Sequence, residues 1–380
     1  MDGGLEPGVT VLVIKKRYNP DSNVVFFLYR RATVYIIKLL IFFIVCFQSC
    51  DFGSMKCYRG GECGCDDKFL STYCWIQGTH TVVRHLNKTV GKEVPYPGIG
   101  QITSQDDIIQ HSYYIWIYPW LALTIVLFRL PWWMWNKHWG GNRIKVFMEE
   151  LDVIVVDDPD KVNLKKDRVL AYFCAQINTP IHTSLAVRYI FCEIFNLLHV
   201  LGQMTFTDYL LNGGFSTYGL EVISFLRASQ ESRIDPMSRI FPKVTACLLN
   251  LIGPSGNEQL IEGICVLPLN SLFEKIFVFL WFWFMMLAIV SIIGLIYRIL
   301  TIYVPHVRYL LLRIQNFGSS PTALQAVCKR STYGDWLLLF TLKNVIHCAF
   351  YGELLEALGN KWKDEDEHKK KISGSVMMYK

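Results

Sequence analysis

The chain has 380 residues, of which 52% are hydrophobic and 18% are charged, and its formal net charge is +6. Soluble proteins of this size carry about 25% charged residues, so the composition favours a membrane protein and excludes disordered, collagen-like and coiled-coil chains. The small positive charge is spread along the chain and gives no indication that the protein binds nucleic acid.

The first predicted element is an apolar stretch at 32–50 that is interrupted only by Lys38. A helix of that length extends about 28 Å, which matches the hydrocarbon thickness of a bilayer. The stretch begins too late and is too long for a signal peptide, so we predict a membrane span. A charge near the middle of a membrane is costly, which makes Lys38 a candidate pore-facing residue; snorkelling or pairing with Glu193 of another span are the alternatives.

The segment 51–112 follows this span and carries four cysteines, Cys57, Cys63, Cys65 and Cys74. Their spacing lacks the paired CxxC units of zinc ribbons, so a metal site is not predicted. The segment also contains one N-glycosylation sequon, which makes Asn87 a candidate acceptor. A glycan there would oppose tight contact between two outer surfaces.

Three further apolar stretches, at 113–136, 187–208 and 274–297, are also predicted spans. The second contains Pro119, for which a static helix bend and a gating hinge are the alternatives. The third is the weakest because charged residues, Glu193 among them, interrupt it. Together with the first stretch they predict a bundle of four transmembrane helices.

Lysine and arginine residues are distributed unevenly between the connecting segments. The terminal segments 1–31 and 298–380 and the middle loop 137–186 together carry 24 of the 38. The loops 51–112 and 209–273 carry only ten. The positive-inside rule therefore predicts that both termini and the middle loop are cytoplasmic at the plasma membrane, and that the other two loops are extracellular.

This orientation places six cysteines outside the cell, where disulfides are their default state. Two cysteines in each outer loop are similarly spaced: Cys57 and Cys74 are 17 residues apart, and Cys247 and Cys265 are 18 apart. Two matched pairs predict that disulfides join the loops into one ordered outer domain. The spacing does not determine which cysteine pairs with which.

Catalytic motifs are absent from the sequence, which contains no Walker loop, no GxSxG and no HExxH. We therefore predict a protein that is not an enzyme and binds no cofactor. A secondary transporter is disfavoured, because four spans without an internal repeat do not fit that architecture.

Several stretches resemble the innexins, the gap-junction channel proteins of invertebrates. The most specific are FLSTYCWIQGTHTV at 69–82 and FPKVTACLLNLIGPSGNEQLIEGICVLPLNSLFEKIFVFLWFW at 241–283. Further similarity lies at 113–119, 200–223 and 334–346. The first 20 residues and two of the outer cysteines depart from the family pattern, and the short length resembles that of viral members.

The resemblance implies an all-α membrane protein with a four-transmembrane-helix bundle, a disulfide-stapled extracellular domain with some β structure, and a helical cytoplasmic dome. Subunits of the family, usually eight, surround a large pore that passes ions and small metabolites. Two such rings in apposed cells dock through their outer loops. Implied partners are further copies of the chain or other innexins, an apposed hemichannel, and membrane lipid. Family disulfides join the two outer loops, which implies that Cys57 pairs with Cys265 and Cys74 with Cys247.

The resemblance also implies where the pore is lined. In the family, the first span and the start of the first outer loop face the pore, so Lys38, Cys50 and Asp51 are candidate pore-lining residues. Two alternatives to a junction channel stay open on the sequence. One is an undocked hemichannel that releases small molecules, and the other is a non-conducting protein that modifies other innexin channels.

Overall fold

The computed structural model describes residues 23–49, 53–59, 67–86, 88, 90–103, 105–139, 159–227, 235–252, 255–316, 319–343 and 348–377. The chain divides into two compact units. The helical unit comprises Met1–Phe27, Leu130–Asn196 and Val290–Lys380. The sheet unit comprises Leu28–Arg129 and Leu197–Ile289.

Helices form most of the described chain. In chain order they are α1 (Val24–Ser49), α2 (Asp67–Gln77), α3 (Tyr113–Trp139), α4 (Pro159–Gln176), α5 (Pro180–Leu210), α6 (Tyr218–Arg227), α7 (Pro236–Ile240), α8 (Asn270–Tyr303), α9 (Pro305–Gln315), α10 (Pro321–Arg330), α11 (Tyr333–Leu342) and α12 (Cys348–Met377). Two segments of the long helices, Leu28–Thr33 in α1 and Met134–Trp139 in α3, have π-helical hydrogen bonding.

Four of these helices, α1, α3, α5 and α8, are long and apolar enough to cross a membrane. Their lengths are 26, 27, 31 and 34 residues, so they extend beyond the apolar stretches read from the sequence. The difference has a simple cause: the sequence prediction counted apolar residues, whereas a helix continues into polar residues until a cap or a loop ends it. The α5 helix begins at Pro180, and proline is favoured in the first turn of a helix.

The helical unit has a continuous apolar core. Trp336 and Leu339 of α11 and Tyr351 of α12 are fully buried in it. The α4 helix contributes Val169 and Phe173 to the same cluster. The middle loop therefore contains a helix that packs on this core, as the helical dome implied by the family resemblance requires.

The sheet unit contains a five-stranded antiparallel sheet with the order β1-β5-β4-β2-β3. Its strands are β1 (Lys56–Arg59), β2 (Thr79–Val82), β3 (Ile108–His111), β4 (Val244–Ile252) and β5 (Glu258–Val266). The β4–β5 hairpin pairs Val244 with Val266 and Ile252 with Glu258. Because β1 to β3 come from 51–112 and β4 and β5 from 209–273, the two predicted outer loops build one domain.

Candidate functional site: the disulfide-stapled sheet and the charged positions of the spans

Two disulfides join the segments that form the sheet. They link Cys57 with Cys265 and Cys74 with Cys247, across sequence separations of 208 and 173 residues. This is the pairing that the family resemblance implies. The first disulfide connects residues in register on the neighbouring strands β1 and β5, and the second attaches α2 to β4. The sulfur atoms of Cys57, Cys74 and Cys265 lie within 4.8 Å of one another, but disulfide sulfurs are not the thiolates that bind zinc.

Hydrogen bonds hold the backbone around the disulfides. The amide of Cys57 donates to Ser71 Oγ at 3.0 Å. The carbonyl of Cys74 accepts from the hydroxyl of Tyr114 at 3.3 Å. All four disulfide cysteines are buried. The stapled centre of the sheet is therefore a dry, well-connected element that fixes α2 and the hairpin to each other.

The edge of the sheet formed by β2 and β3 carries buried histidines. His111 Nε2 and Thr81 Oγ1 share a hydrogen bond of 2.8 Å. Burial lowers the pKa of His111 to about 4, and repulsion by the neighbouring His80 adds to this effect. Burial also lowers the pKa of His80. Both imidazoles are therefore neutral at pH 7, and their protonation in acid opposes folding of this edge.

Five residues that the sequence singled out lie outside the described residues. They are Cys50, Asp51, Cys63, Cys65 and Asn87. The assignments of Cys50 and Asp51 to the pore lining and of Asn87 to glycosylation stay predictions.

Lys38 lies on a face of α1 that the rest of the sheet unit leaves uncovered. Tyr35, Phe42 and Val45 share this exposed face at helical spacing. Lys38 is 14 residues from the first residue of the helix and 11 from its last, so it lies near the middle of the span. The lysine is therefore placed where it can face water, lipid or another subunit, and its pore-facing role stays a prediction.

Pro119 is exposed and lies in the second turn of α3. The helix continues through it, although proline has no N–H to donate to the carbonyl of Ile115; such prolines are tolerated in membrane helices. The alternatives of a static bend and a gating hinge stay open.

Glu193 has a partner that its sequence spacing did not reveal. Arg298 of α8 donates from Nε and Nη2 to the two carboxylate oxygens of Glu193, at 2.8 and 2.9 Å. Asn23 Nδ2 donates to Glu193 Oε1 at 2.8 Å. Both carboxylate oxygens of Glu193 are therefore bound within the helical unit, by Arg298 and Asn23, and the alternative that Glu193 pairs with Lys38 stays a prediction.

A second buried carboxylate organises the helical unit. Asp335 accepts from His182 Nδ1 at 2.5 Å and from the amide of Asn178 at 3.1 Å. It also forms a capping box with Thr332 at the start of α11. Burial alone would raise the pKa of Asp335, but the hydrogen bonds from His182, Thr332 and Asn178 outweigh burial and lower it. A side chain at Gly334 would lie 2.4 Å from the His182 carbonyl carbon, so glycine permits this close approach.

Comparisons with known proteins agree with the motifs. The family model described as Innexin matches residues 22–362. "Innexin inx2" of Drosophila melanogaster is 40% identical over 300 residues, which cover 79% of this chain and 80% of the relative. "Innexin inx2" of Schistocerca americana is 40% identical over 293 residues, covering 77% and 80%. "Innexin shaking-B" of Drosophila melanogaster is 34% identical over 364 residues, covering 94% of both chains.

Proposed function

The chain belongs to the innexin family, whose members form gap-junction channels, and from this premise we propose that eight copies surround a pore and dock with a second ring through the stapled sheet. Four candidate spans support a multi-pass membrane protein. The observation that carries the docking role is the covalent union of 51–112 and 209–273 in one sheet. Docking requires an outer surface with a defined shape, and the disulfides supply one from two loops that are far apart in sequence.

The way in which the chain segments are divided between the two units supports the proposed orientation. Asn23 and the start of α1, the end of α3 together with α4, and the helices α9 to α12 all belong to the helical unit. The strands from 51–112 and 209–273 belong to the sheet unit. This grouping agrees with the distribution of lysine and arginine, and both termini and the middle loop are then cytoplasmic.

The first span is the proposed pore wall. Its exposed face carries Lys38, and a lysine in lipid near mid-membrane costs several kcal/mol unless it reaches water or a partner. A water-filled pore removes this cost. Lys38 would then add positive charge to the lining, while Cys50 and Asp51 continue the lining at the outer mouth. In so wide a pore, selectivity comes from diameter and lining charge rather than from ion dehydration.

Electrical recording from paired cells tests the junction. We expect a current between two cells that both express the chain and none when only one cell of a pair expresses it. Electron microscopy of the detergent-purified protein is expected to show rings with eightfold symmetry. A ring of another size would contradict the proposed stoichiometry.

Two outcomes would overturn the junction proposal. Dye uptake by single cells without current between paired cells identifies an undocked hemichannel. Neither uptake nor current, together with purified chains that form no ring, identifies a protein that acts only by modifying other innexin channels. Mass measurement of Asn87 tests the cause of a missing junction, since a glycan on the docking surface would oppose close apposition.

A further inference from the structure

The helical unit contains a cavity of about 450 Å³ that the channel function described above does not use. It lies among the cytoplasm-proximal ends of the proposed spans and the α11 helix. The residues that line it include Val25 of α1, Trp135 of α3, Tyr189 of α5, Gly294 and Arg298 of α8, and Phe340 of α11. Its size lies within the usual range for small-molecule sites, about 300–1,000 Å³.

One end of the cavity is polar and rigid. The Arg298 side chain is only 10% exposed and forms the two-pronged ion pair with Glu193. Its guanidinium lies 4.9 Å from the centre of the Tyr189 ring. Asn23 donates to the Tyr189 hydroxyl at 2.6 Å. A guanidinium has five N–H donors. Arg298 uses two of them to bind Glu193, so its guanidinium can also donate to an oxygen atom of a ligand.

The other end of the cavity is apolar and opens to the side. Val290, Ile293 and Leu337 line it. Ile293 is 60% exposed and Val24, at the rim, is 64% exposed. Ile293 belongs to α8, a candidate span that is not the proposed pore wall, so in the proposed membrane setting this side of the cavity is open to lipid. An opening toward lipid and a buried polar end together favour an amphiphilic occupant.

We propose that this cavity binds one acyl chain of a bilayer lipid, with the ester oxygens of the lipid at the Arg298 end. The proposal rests on the membrane setting given under Proposed function. An apolar cavity of about 150 Å³ is large enough to bind benzene, so three times that volume accepts a much longer chain. Because Glu193 neutralises Arg298, the site selects for the chain and not for a charged headgroup.

Gly294 offers a way to close the cavity. A Cβ atom at this position would lie 3.4 Å from Val25 Cγ2, which is an ordinary contact. Alanine is therefore accommodated, whereas the ring of phenylalanine would occupy the cavity. Gly294→Ala and Gly294→Phe form a matched pair that differs in cavity filling alone.

The test uses the full chain in phosphatidylcholine vesicles that contain a phosphatidylcholine with a photoreactive diazirine in its acyl chain. After illumination, peptide mass spectrometry locates the adducts. We expect adducts on the Leu337–Thr341 peptide of α11, which is not a candidate span and whose Leu337 and Leu338 are buried and line the cavity. Gly294→Phe should reduce this labelling at least fivefold, and Gly294→Ala should leave it within twofold of the unchanged protein.

The remaining outcomes separate this proposal from the proposed function. Adducts on the spans but not on α11 would refute the cavity site and leave the membrane setting intact. A second copy of the chain that covers the opening of the cavity would give this labelling pattern. No adducts on any span would refute the membrane setting itself. If Gly294→Phe fails to form rings, Thr341→Trp fills the cavity from the opposite wall and should give the same loss. A probe with a phosphatidylserine headgroup should label α11 equally, and dependence on that headgroup would contradict selection for the chain.

Discussion

The sheet unit and the helical unit obtain their cores in different ways. The strands of the sheet are four to nine residues long and come from two loops that the disulfides connect over 173 and 208 residues. In the helical unit, α9 to α12 follow one another in the chain and supply most of the core around Trp336, to which α4 adds Val169 and Phe173. Short strands from distant segments pay a large loop-closure entropy, which a covalent link removes from the unfolded state. Consecutive helices need no such link.

The two units also differ in the buried titratable groups that they contain. Asp335 of the helical unit receives hydrogen bonds from three residues, so its buried charge is satisfied. In the sheet unit, His80 Nε2 and His85 Nδ1 have no hydrogen-bond partner among the described residues. A satisfied carboxylate stabilises its surroundings over a wide pH range, whereas the lowered pKa values of His80 and His111 make the sheet sensitive to acid.

Removing a disulfide tests the first difference most strongly. Cys74→Ser combined with Cys247→Ser should lower the free energy of unfolding of the sheet unit by about 2–5 kcal/mol, because α2 is no longer attached to β4 and only Cys57–Cys265 still joins the two segments. Hydrogen exchange should become fast in β4 and β5 and stay slow in α11. Cys174→Ser, a thiol outside both disulfides, is the matched control and should leave exchange and paired-cell current unchanged. Loss of protection in both units together would contradict separate cores.

Truncating the centre of the helical core gives the reciprocal test. Trp336 is fully buried, so Trp336→Ala should destabilise the helical unit by about 3–5 kcal/mol. Exposed Leu310 of α9 provides the control, and Leu310→Ala should change stability by less than about 0.5 kcal/mol. Hydrogen exchange of α11 and α12 measures the loss, and equal losses from both variants would refute the assigned core.

Acid should destabilise the sheet unit at a higher pH than the helical unit. The pKa of His111 is lowered from 6.5 to about 4, so between these values the unfolded state binds more protons than the folded state. Stability of the sheet should fall by about 3 kcal/mol as the pH drops through this window. Asp335 depends on pH in the same direction but in a lower window, since its contribution is present above the unfolded value of 3.8 and is lost only as the pH falls through its lowered pKa. At pH 5 the helical unit therefore keeps this contribution.

Exchange measured at pH 7 and pH 5 in the two sets of peptides checks the acid response. His111→Gln removes the titrating ring and should flatten the response of β2 and β3. An unchanged pH profile in this variant would assign the acid sensitivity to other groups.

The smallest effect on stability is expected at Lys38. Because its side chain is exposed, Lys38→Gln should change the stability of the sheet unit by less than about 0.5 kcal/mol. In a pore-facing position the lost charge should instead shift the permeability ratio toward cations. Lys38→Arg keeps the charge and should keep the original ratio. Identical ratios in all three proteins would remove Lys38 from the pore lining.

Several features followed from local sequence. Four spans were predicted because bilayer thickness sets a length that a run of apolar residues reveals directly. The stretches at 69–82 and 241–283 carried the family resemblance, and with it the disulfide pairing that the structure contains. Matched cysteine spacing alone left that connectivity open.

Other features depended on residues that meet only in the folded chain. Glu193 and Arg298 are 105 residues apart, and His182 and Asp335 are 153 apart. Spacing rules for single helices cover partners three or four residues away and give no access to such pairs. The helix limits beyond the apolar stretches and the cavity beside Gly294 have the same origin. Local hydrophobicity is a property of the sequence, and comparison with the thickness of a bilayer identifies the spans directly. The partner of a buried charge depends instead on which helices pack together.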